Sequence, residues 1–228
     1  MNKINIRPYK AEDRPALRTL CCDVADRGGP IENFFPDREV AADLLTKYYT
    51  DYEPQSSFVA LCDKRMVGYI NGCMDNRRYG LVMFWLLAPS LLIKAFKRGI
   101  FFRPEIRQLL QGMLKNWRRI FVWRKKSFHS HQGHLHIGIA GDFRGQRVGR
   151  NLLNTLVDHA LEMGIAQLAA SVHDANRAAG VFFEAQGFAV RERYPMVLIR
   201  DGKEEHYHSL LYVKKIEECC HPERSEGS

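Results

Sequence analysis

The stretch HLHIGIAGDFRGQRVGR, residues 134–150, decides the fold. Leu135, Ile137 and Ile139 alternate with other residues, which predicts a strand, and the glycine after Ala140 predicts a tight turn. A helix from about Val148 to Met163 follows, with its apolar residues at helical spacing. This order presents free backbone N–H groups to an anion, because the first turn of a helix leaves them unpaired.

A pyrophosphate group is the natural ligand of this helix start. Gly145 and Gly149 let a ligand approach the backbone closely, and Arg144, Arg147 and Arg150 add positive charge. The alternative is a glycine-containing helix start whose arginines are only solvated.

The rest of the chain predicts strands and helices in alternation around this motif. We expect strands at residues 5–8, 57–62, 66–70, 168–172, 188–190 and 208–213, and helices at 11–24, 37–48, 104–117 and 176–186. The pattern favours one domain over residues 1–215, with an insertion at 77–126 and a disordered tail at 216–228.

Two motifs together resemble those of the GNAT superfamily of N-acetyltransferases. Residues 144–150, RGQRVGR, are similar to its phosphate-binding motif, and residues 176–188, NRAAGVFFEAQGF, are similar to its second signature. The resemblance covers about residues 3–76 and 134–214. More narrowly, residues 134–137 and 48–54 look like bacterial members related to the acetyltransferase-like domain of O-GlcNAcase.

The resemblance implies an α/β chain with the GNAT fold, which has a central mixed, mostly antiparallel sheet and helices on both faces, with a helical insertion here. It also implies that acetyl-CoA is the co-substrate and that an amine attacks its thioester directly in a ternary complex. The residues that the resemblance assigns to acetyl-CoA are Ile137, Ile139, Arg144, Gly145, Gln146, Arg147, Val148, Gly149, Arg150, Asn176 and Phe183.

His136 is the candidate general base of this reaction. It shares a strand face with His134, and imidazole titrates near the working pH. The alternative is that both histidines are satisfied sheet residues. Asp142 is a weaker candidate, since an aspartate there is more simply a turn residue.

Two residues depart from the family pattern. Arg147 stands at the first glycine of the phosphate motif; its N–H is retained, and we expect that a helix start does not demand a positive φ there. Phe183 stands where members often place a tyrosine as general acid, and a phenylalanine has no proton to give. Either another group protonates the thiolate, or activity is weak or lost.

The insertion holds most of the positive charge of a chain whose net charge is +8. From Arg77 to Lys126 there are 13 lysines and arginines but one acid, Glu105. This predicts salt-sensitive binding to RNA or an anionic membrane surface, carried by Arg118, Arg119, Arg124, Lys125 and Lys126. The alternative is a pair of helices that cap the acceptor cleft with solvated basic faces.

The apolar stretch Leu81–Ile93 inside the insertion needs cover, and we expect it to pack over the acceptor cleft. It is too short to cross a membrane, which takes about 20 residues.

Composition favours a cytoplasmic protein, with a peripheral position at the inner membrane surface left open. The first residues lack an apolar signal segment, and the six cysteines show no C-x-x-C spacing. Cys219, Cys220 and His221 offer metal-ligand atoms without a fourth ligand nearby, so no metal is expected.

Other features each allow two interpretations. The three tyrosines of the second helix either line the mouth of the acceptor site or form a helix packing face; they are Tyr48, Tyr49 and Tyr52. The pair Phe34-Phe35 is either a lid over the site or an anchor for its loop. The pair His173-Asp174 either contacts the acceptor or belongs to a plain loop.

Two functions follow as alternatives. The first is an active N-acetyltransferase for a small-molecule or peptide amine. The second is a catalytically weak or inactive acyl-CoA-binding or scaffolding module whose basic insertion binds an acidic partner. A homodimer is left open in both.

Overall fold

The computed structural model describes residues 4–127, 132–200 and 202–216. Its strands are β1 (Ile4–Pro8), β2 (Ser57–Cys62), β3 (Arg65–Cys73), β4 (Gln132–Ile139), β5 (Gln167–His173), β6 (Ala189–Arg200) and β7 (Lys203–Lys215). Its helices are α1 (Arg14–Val24), α2 (Arg38–Asp51), α3 (Asn76–Val82), α4 (Ala88–Lys97), α5 (Pro104–Ser127), α6 (Val148–Glu162) and α7 (Arg177–Ala185).

The strands form one sheet in the order β1-β2-β3-β4-β5-β7-β6. All neighbouring strands are antiparallel except β4 and β5, which are parallel. Alternate side chains of β3 point to opposite faces: Ile70 packs with Leu152 of α6, and Tyr69 packs with Leu17 of α1. The mixed, mostly antiparallel sheet with helices on both faces is therefore confirmed.

The last two strands are much longer than the sequence pattern predicts. The expected strands at residues 188–190 and 208–213 extend into a hairpin of β6 and β7, which turns at Gly202 with φ +72°. The prediction was wrong because residues 203–208 of β7 are mostly polar, and Pro195 interrupts the apolar run of β6. Ile216, expected to begin the tail, is buried, and its N–H donates to Ala166.

The insertion is helical, as predicted, but its apolar part is longer than expected. The chain runs as α3, a π-helical turn at Met83–Leu87 and α4, so that 22 helical residues, Asn76–Lys97, are long and apolar enough to cross a membrane. The length argument against such a helix was wrong, because the π turn carries the helix past Pro89, which has no N–H to donate.

The helix α5 covers the outer edge of the sheet, which is formed by β6. The Asn116 side chain donates from Nδ2 to the Val197 carbonyl over 2.6 Å, and its Oδ1 accepts from the Val197 N–H over 3.0 Å. These two bonds imitate those of a neighbouring strand, so both backbone groups of Val197 are already occupied at this edge. Gly112 lies on the same contact, where a Cβ atom would approach the Val197 oxygen to 3.3 Å.

Two predictions concern parts of the chain that the structure does not describe. These are the disorder of residues 217–228 and the side chains of Arg118, Arg119, Arg124, Lys125 and Lys126.

Candidate functional site

One cavity of about 960 Å³ lies where β4, β5, α6, α7 and the β6–β7 hairpin meet. Its walls hold the candidate base and ten of the eleven residues assigned to acetyl-CoA. These are His136, Ile137, Ile139, Arg144, Gly145, Arg147, Val148, Gly149, Arg150, Asn176 and Phe183. The structure therefore brings together residues that two separate sequence motifs supplied.

Gln146, the eleventh, is not among the described lining residues. Its side-chain Nε2 donates to the Asp142 carbonyl over 2.8 Å, which folds it back onto its own turn. Its side chain stabilises the turn, while its backbone remains part of the loop.

The start of α6 forms the first end of the cavity. Within the described chain no side chain caps this helix start, and its first intrahelical bond runs from the Asn151 N–H to the Arg147 carbonyl. The preceding N–H groups therefore lack helical partners. Gly145 has φ +77°, and a Cβ atom there would find nothing within 4 Å. Open space, free donors and the exposed Arg147 and Arg150 fit a pyrophosphate group.

Arg147 corrects one expectation from the sequence. It adopts φ +63°, the left-handed region, as the residue before α6. The assumption that this position does not demand a positive φ was wrong, because the turn enters the helix through a left-handed residue. This conformation explains why the family motif has glycine there.

The strands β4 and β5 separate along the cavity. Their pairing ends at His134 and Ala169, although β4 continues to Ile139. The Ala140 N–H donates to Val67 of β3, so strand alternation directs the backbone groups of Ile137 and Ile139 toward the gap. The two residues assigned to acetyl-CoA on β4 thus offer backbone donors and acceptors where a second chain could pair.

The two histidines of β4 have different surroundings. The Nδ1–H of His134 donates to Asn76 Oδ1 over 2.6 Å, so its Nε2 accepts from the Tyr49 hydroxyl over 3.0 Å. Burial, and to a lesser degree the neighbouring His136, lowers the pKa of His134 to about 4. His134 is therefore a satisfied sheet residue, as the alternative interpretation proposed.

His136 lines the cavity, and its Nδ1 lies 3.4 Å from the Tyr69 hydroxyl. Burial lowers the pKa of His136 to about 4. The expectation that it titrates near the working pH was wrong, because a half-buried imidazole in an apolar wall loses the hydration of its charged form. At neutral pH it is uncharged and can accept a proton, but as a weak base.

Phe183 belongs to the core more than to the reaction space. It is buried against Phe188 and Tyr212, at ring-centre distances of 5.1 and 5.8 Å. The adjacent Phe182 lies under the start of α6, where a Cβ atom on Gly149 would approach its ring to 3.1 Å. Gly149 therefore permits close packing of α6 on α7.

The second end of the cavity is polar and combines the loop after α1 with the β6–β7 hairpin. It lies next to the phosphate loop, because the Arg144 side chain donates to the Gly28 carbonyl over 3.1 Å. The His173 ring stacks on Tyr207 at 4.1 Å and 6° between planes. Burial lowers the pKa of His173, and the charges of Asp174, Arg27 and Glu205 also act on its ring. Glu205 and Phe34 line this end of the cavity, and the insertion contributes Leu109 of α5 to the described part of the wall.

Most of this second end was missed from the sequence. Glu205 and Tyr207 are two residues apart and share a face of β7, which is the one signal that would have identified them. For His173 the sequence left an acceptor contact and a plain loop as alternatives; the structure places it at the end of β5, in the cavity wall. Tyr69 was not singled out. Phe34 lies in the cavity wall, whereas Phe35 is buried beneath the same loop.

Three further expectations have clear outcomes. Asp142 pairs with Arg65 at 2.8 Å, which agrees with a turn residue. Tyr48 and Tyr49 are buried and form a helix packing face. The stretch Leu81–Ile93 does not cover the cleft: the cavity lining includes none of its residues, since its inner side packs on α2.

Among the described residues, no group of three or more histidine, cysteine, aspartate or glutamate side chains is placed to share a metal ion.

Comparisons with known proteins agree with this geometry. Residues 112–188 match the model of the acetyltransferase (GNAT) family, and the comparison with curated proteins found no match. Among solved structures, that of SsHAT is 23% identical, with a TM-score of 0.70 over 95% of this chain and 100% of its own. The ribosomal-protein-alanine N-acetyltransferase of Brucella melitensis is 21% identical, with a TM-score of 0.55 over 92% and 99%.

The yncA protein of Salmonella typhimurium, a putative acetyltransferase solved with its cofactor acetyl-CoA, is 15% identical, with a TM-score of 0.57 over 97% of this chain and 99% of its own. These similarities confirm the GNAT fold. The matched segment, residues 112–188, contains both the phosphate loop and α7. The family match agrees with the predicted class, a GNAT N-acetyltransferase.

Proposed function

We propose that this chain transfers an acetyl group from acetyl-CoA to a primary amine, by direct attack within a ternary complex. The observation that carries the proposal is a single cavity that joins an uncapped helix start, a gap between two parallel strands and a polar end. Such a cavity would hold a long thioester and a second substrate together, which supplies the alignment that direct transfer needs.

The chain's own residues divide the work along this cavity. The N–H groups at the start of α6, with Arg147 and Arg150, would hold the pyrophosphate, and the free edge of β4 would pair with the pantetheine arm. Acetyl-CoA supplies the activated acyl group. The residues at the polar end, His173, Glu205 and Tyr207, then face the acceptor.

The acceptor is proposed to be a small-molecule or peptide amine that arrives as a cation. Glu205 is a half-buried carboxylate in the wall, and a carboxylate favours an ammonium group. His136, uncharged at neutral pH, is the proposed proton acceptor nearest the gap, acting directly or through water. The second proposed function is an acyl-CoA-binding or scaffolding module, which the buried Phe183 and the weakly basic His136 favour.

The test of cofactor binding is a thermal shift with acetyl-CoA. A ligand at about 100 times its dissociation constant adds roughly 2.7 kcal/mol to the stability of the folded state. Arg147→Glu and Arg150→Glu should each reduce this shift strongly, while Lys203→Glu, an equal charge change at the exposed start of β7, should not. If the two arginine variants bind acetyl-CoA as the parent does, the pyrophosphate is not at the start of α6.

The test of turnover is release of the coenzyme A thiol with a panel of polyamines, aminoglycosides, amino sugars and peptide N-termini. Glu205→Gln should raise KM for a cationic acceptor and leave the acetyl-CoA shift unchanged. His136→Ala should lose about 10²-fold in rate if His136 accepts the proton. Acetyl-CoA binding without thiol release for any amine would select the binding-module alternative.

Four further hypotheses, which rest on the sequence alone, remain part of this proposal. They are kinship with the bacterial group related to the O-GlcNAcase acetyltransferase-like domain, a cytoplasmic location with a peripheral position at the inner membrane surface, a homodimer, and RNA or lipid binding through the arginines and lysines of residues 118–126.

A further inference from the structure

A large apolar surface lies on the outside of the helical run Asn76–Lys97. We call it the outer face; its members are 52 to 69% exposed and lie on the side of the run away from α2. They are Leu81, Phe84, Trp85, Leu86, Leu92, Ile93 and Phe96. Soluble monomers rarely expose a contiguous apolar patch of this extent, so the outer face needs a partner.

The opposite side of the run is fixed to the domain. Leu87 is buried against the tyrosines of α2, and Ala95 is buried in the neighbouring cluster. Lys94 pairs with Asp43 at 2.6 Å, and Arg98 pairs with Asp37 at 2.6 Å. By length and composition alone, the helical run could cross a membrane. These contacts, however, hold the run along the surface of the domain. Its outer face would therefore lie parallel to a membrane.

The charges around the outer face select the partner. From Asn76 to Arg98 the chain has five lysines and arginines and no acid, and no charged residue lies between Tyr79 and Ile93. Arg77, Arg78 and Lys97 are exposed at the two ends of the run, and no ion pair of theirs occurs in the described ranges. Aromatic and aliphatic side chains between terminal cations match acyl chains below anionic headgroups.

The same charges disfavour other partners. A second copy of this chain would bring the same cations together, on a protein whose net charge is already +8. RNA would satisfy the cations but leave Phe84, Trp85 and Phe96 in water. We propose that the outer face docks on an anionic lipid bilayer, with these aromatic side chains in the headgroup region and Arg77, Arg78 and Lys97 on the phosphates.

The test is co-sedimentation of the full chain with vesicles. Vesicles with about 30% phosphatidylglycerol in phosphatidylcholine should bind the protein, and vesicles of phosphatidylcholine alone should bind it weakly. Phe84→Glu with Trp85→Glu should reduce the partition coefficient at least about tenfold. Met163→Glu, which adds a charge at the exposed apolar residue that follows α6, should bind as the parent does. The acetyl-CoA thermal shift or the far-ultraviolet spectrum verifies that each variant is folded.

A second measurement follows Trp85 directly. Replacing Trp117 and Trp123 by phenylalanine leaves Trp85 as the single tryptophan of the three in the chain. Its emission should shift to the blue on anionic vesicles and be quenched by lipids labelled near the headgroup. Absence of binding at about 50 mM salt, or unchanged binding of the Phe84 and Trp85 double variant, would overturn the proposal.

Two other outcomes would also overturn it. If the purified protein is a dimer that the double variant dissociates, the outer face is covered by a second copy. If RNA shifts on a gel, the double variant abolishes that shift, and vesicles do not bind, the face belongs to an RNA partner.

Discussion

The two hydrogen bonds between Asn116 of α5 and Val197 of the edge strand give a quantitative stability prediction. Asn116→Ala removes both bonds to Val197, of 2.6 and 3.0 Å, and Asn116 and Val197 are both buried. The variant leaves an N–H and a carbonyl of β6 without partners in a place that water reaches poorly. We therefore expect a loss larger than that of an ordinary surface hydrogen bond.

The size of the loss follows from the two orphaned groups. Each buried polar group without a partner costs about 1–3 kcal/mol, so the loss of both partners should lower the free energy of unfolding by about 2–6 kcal/mol. In a chain of this length about 1 kcal/mol corresponds to 2–4 °C in Tm, which predicts a fall of roughly 4–24 °C. Asn116→Asp should be no better, because its carboxylate would face the Val197 carbonyl oxygen at neutral pH.

Thermal unfolding followed by circular dichroism measures the effect, with Gln111→Ala as control. Gln111 is exposed on the same helix, so its replacement should change stability by less than about 0.5 kcal/mol. Because Leu109 of α5 lines the cavity, Asn116→Ala should also raise KM for the acceptor without changing the acetyl-CoA shift. A Tm within about 2 °C of the control would refute the strand-like role of Asn116.

Three further predictions concern the sheet and its loop. The pKa values of His134 and His136 are about 4 in the folded state, below the unfolded value of 6.5. The folded protein should therefore have its full stability above pH 6.5 and lose stability as the pH falls toward 4. Urea unfolding should show a loss of up to about 3 kcal/mol per histidine, and the loss should be smaller in His134→Ala. Gly138→Ala places a Cβ atom 2.5 Å from the Tyr69 ring and should cost about 1–3 kcal/mol in the same assay; an unchanged midpoint would contradict the packing. Gly145→Ala, at φ +77° with open space around it, should cost about 1 kcal/mol by backbone strain alone, and a more stable variant would exclude that strain.

The fold was largely predictable because its signals are local. The alternation of β4, the turn at residues 141–147 and the periodicity of α6 each lie within a short window, and Gly164 and Gly187 have the positive φ that ends a helix. The long β6–β7 hairpin was missed because the first half of β7 is mostly polar and Pro195 interrupts the apolar run of β6.

The cofactor side of the candidate site could also be predicted from the sequence, because two motifs in the right order mark it. The acceptor side was not. Its walls come from the loop after α1, from β5 and from β7, and His173 and Tyr207 stack although 34 positions separate them. No spacing rule links residues so far apart.

The sequence by itself therefore determined the order of elements, the phosphate loop and the basic character of the insertion, because backbone propensity, side-chain periodicity and charge are properties of neighbouring residues. Only the tertiary structure decided that His136 is uncharged at neutral pH, that Asn116 occupies the backbone groups of Val197 at the sheet edge and that the apolar residues of α3 and α4 face outward. Those outcomes depend on which distant surfaces exclude water from a side chain, and the packing of the whole chain sets that exclusion.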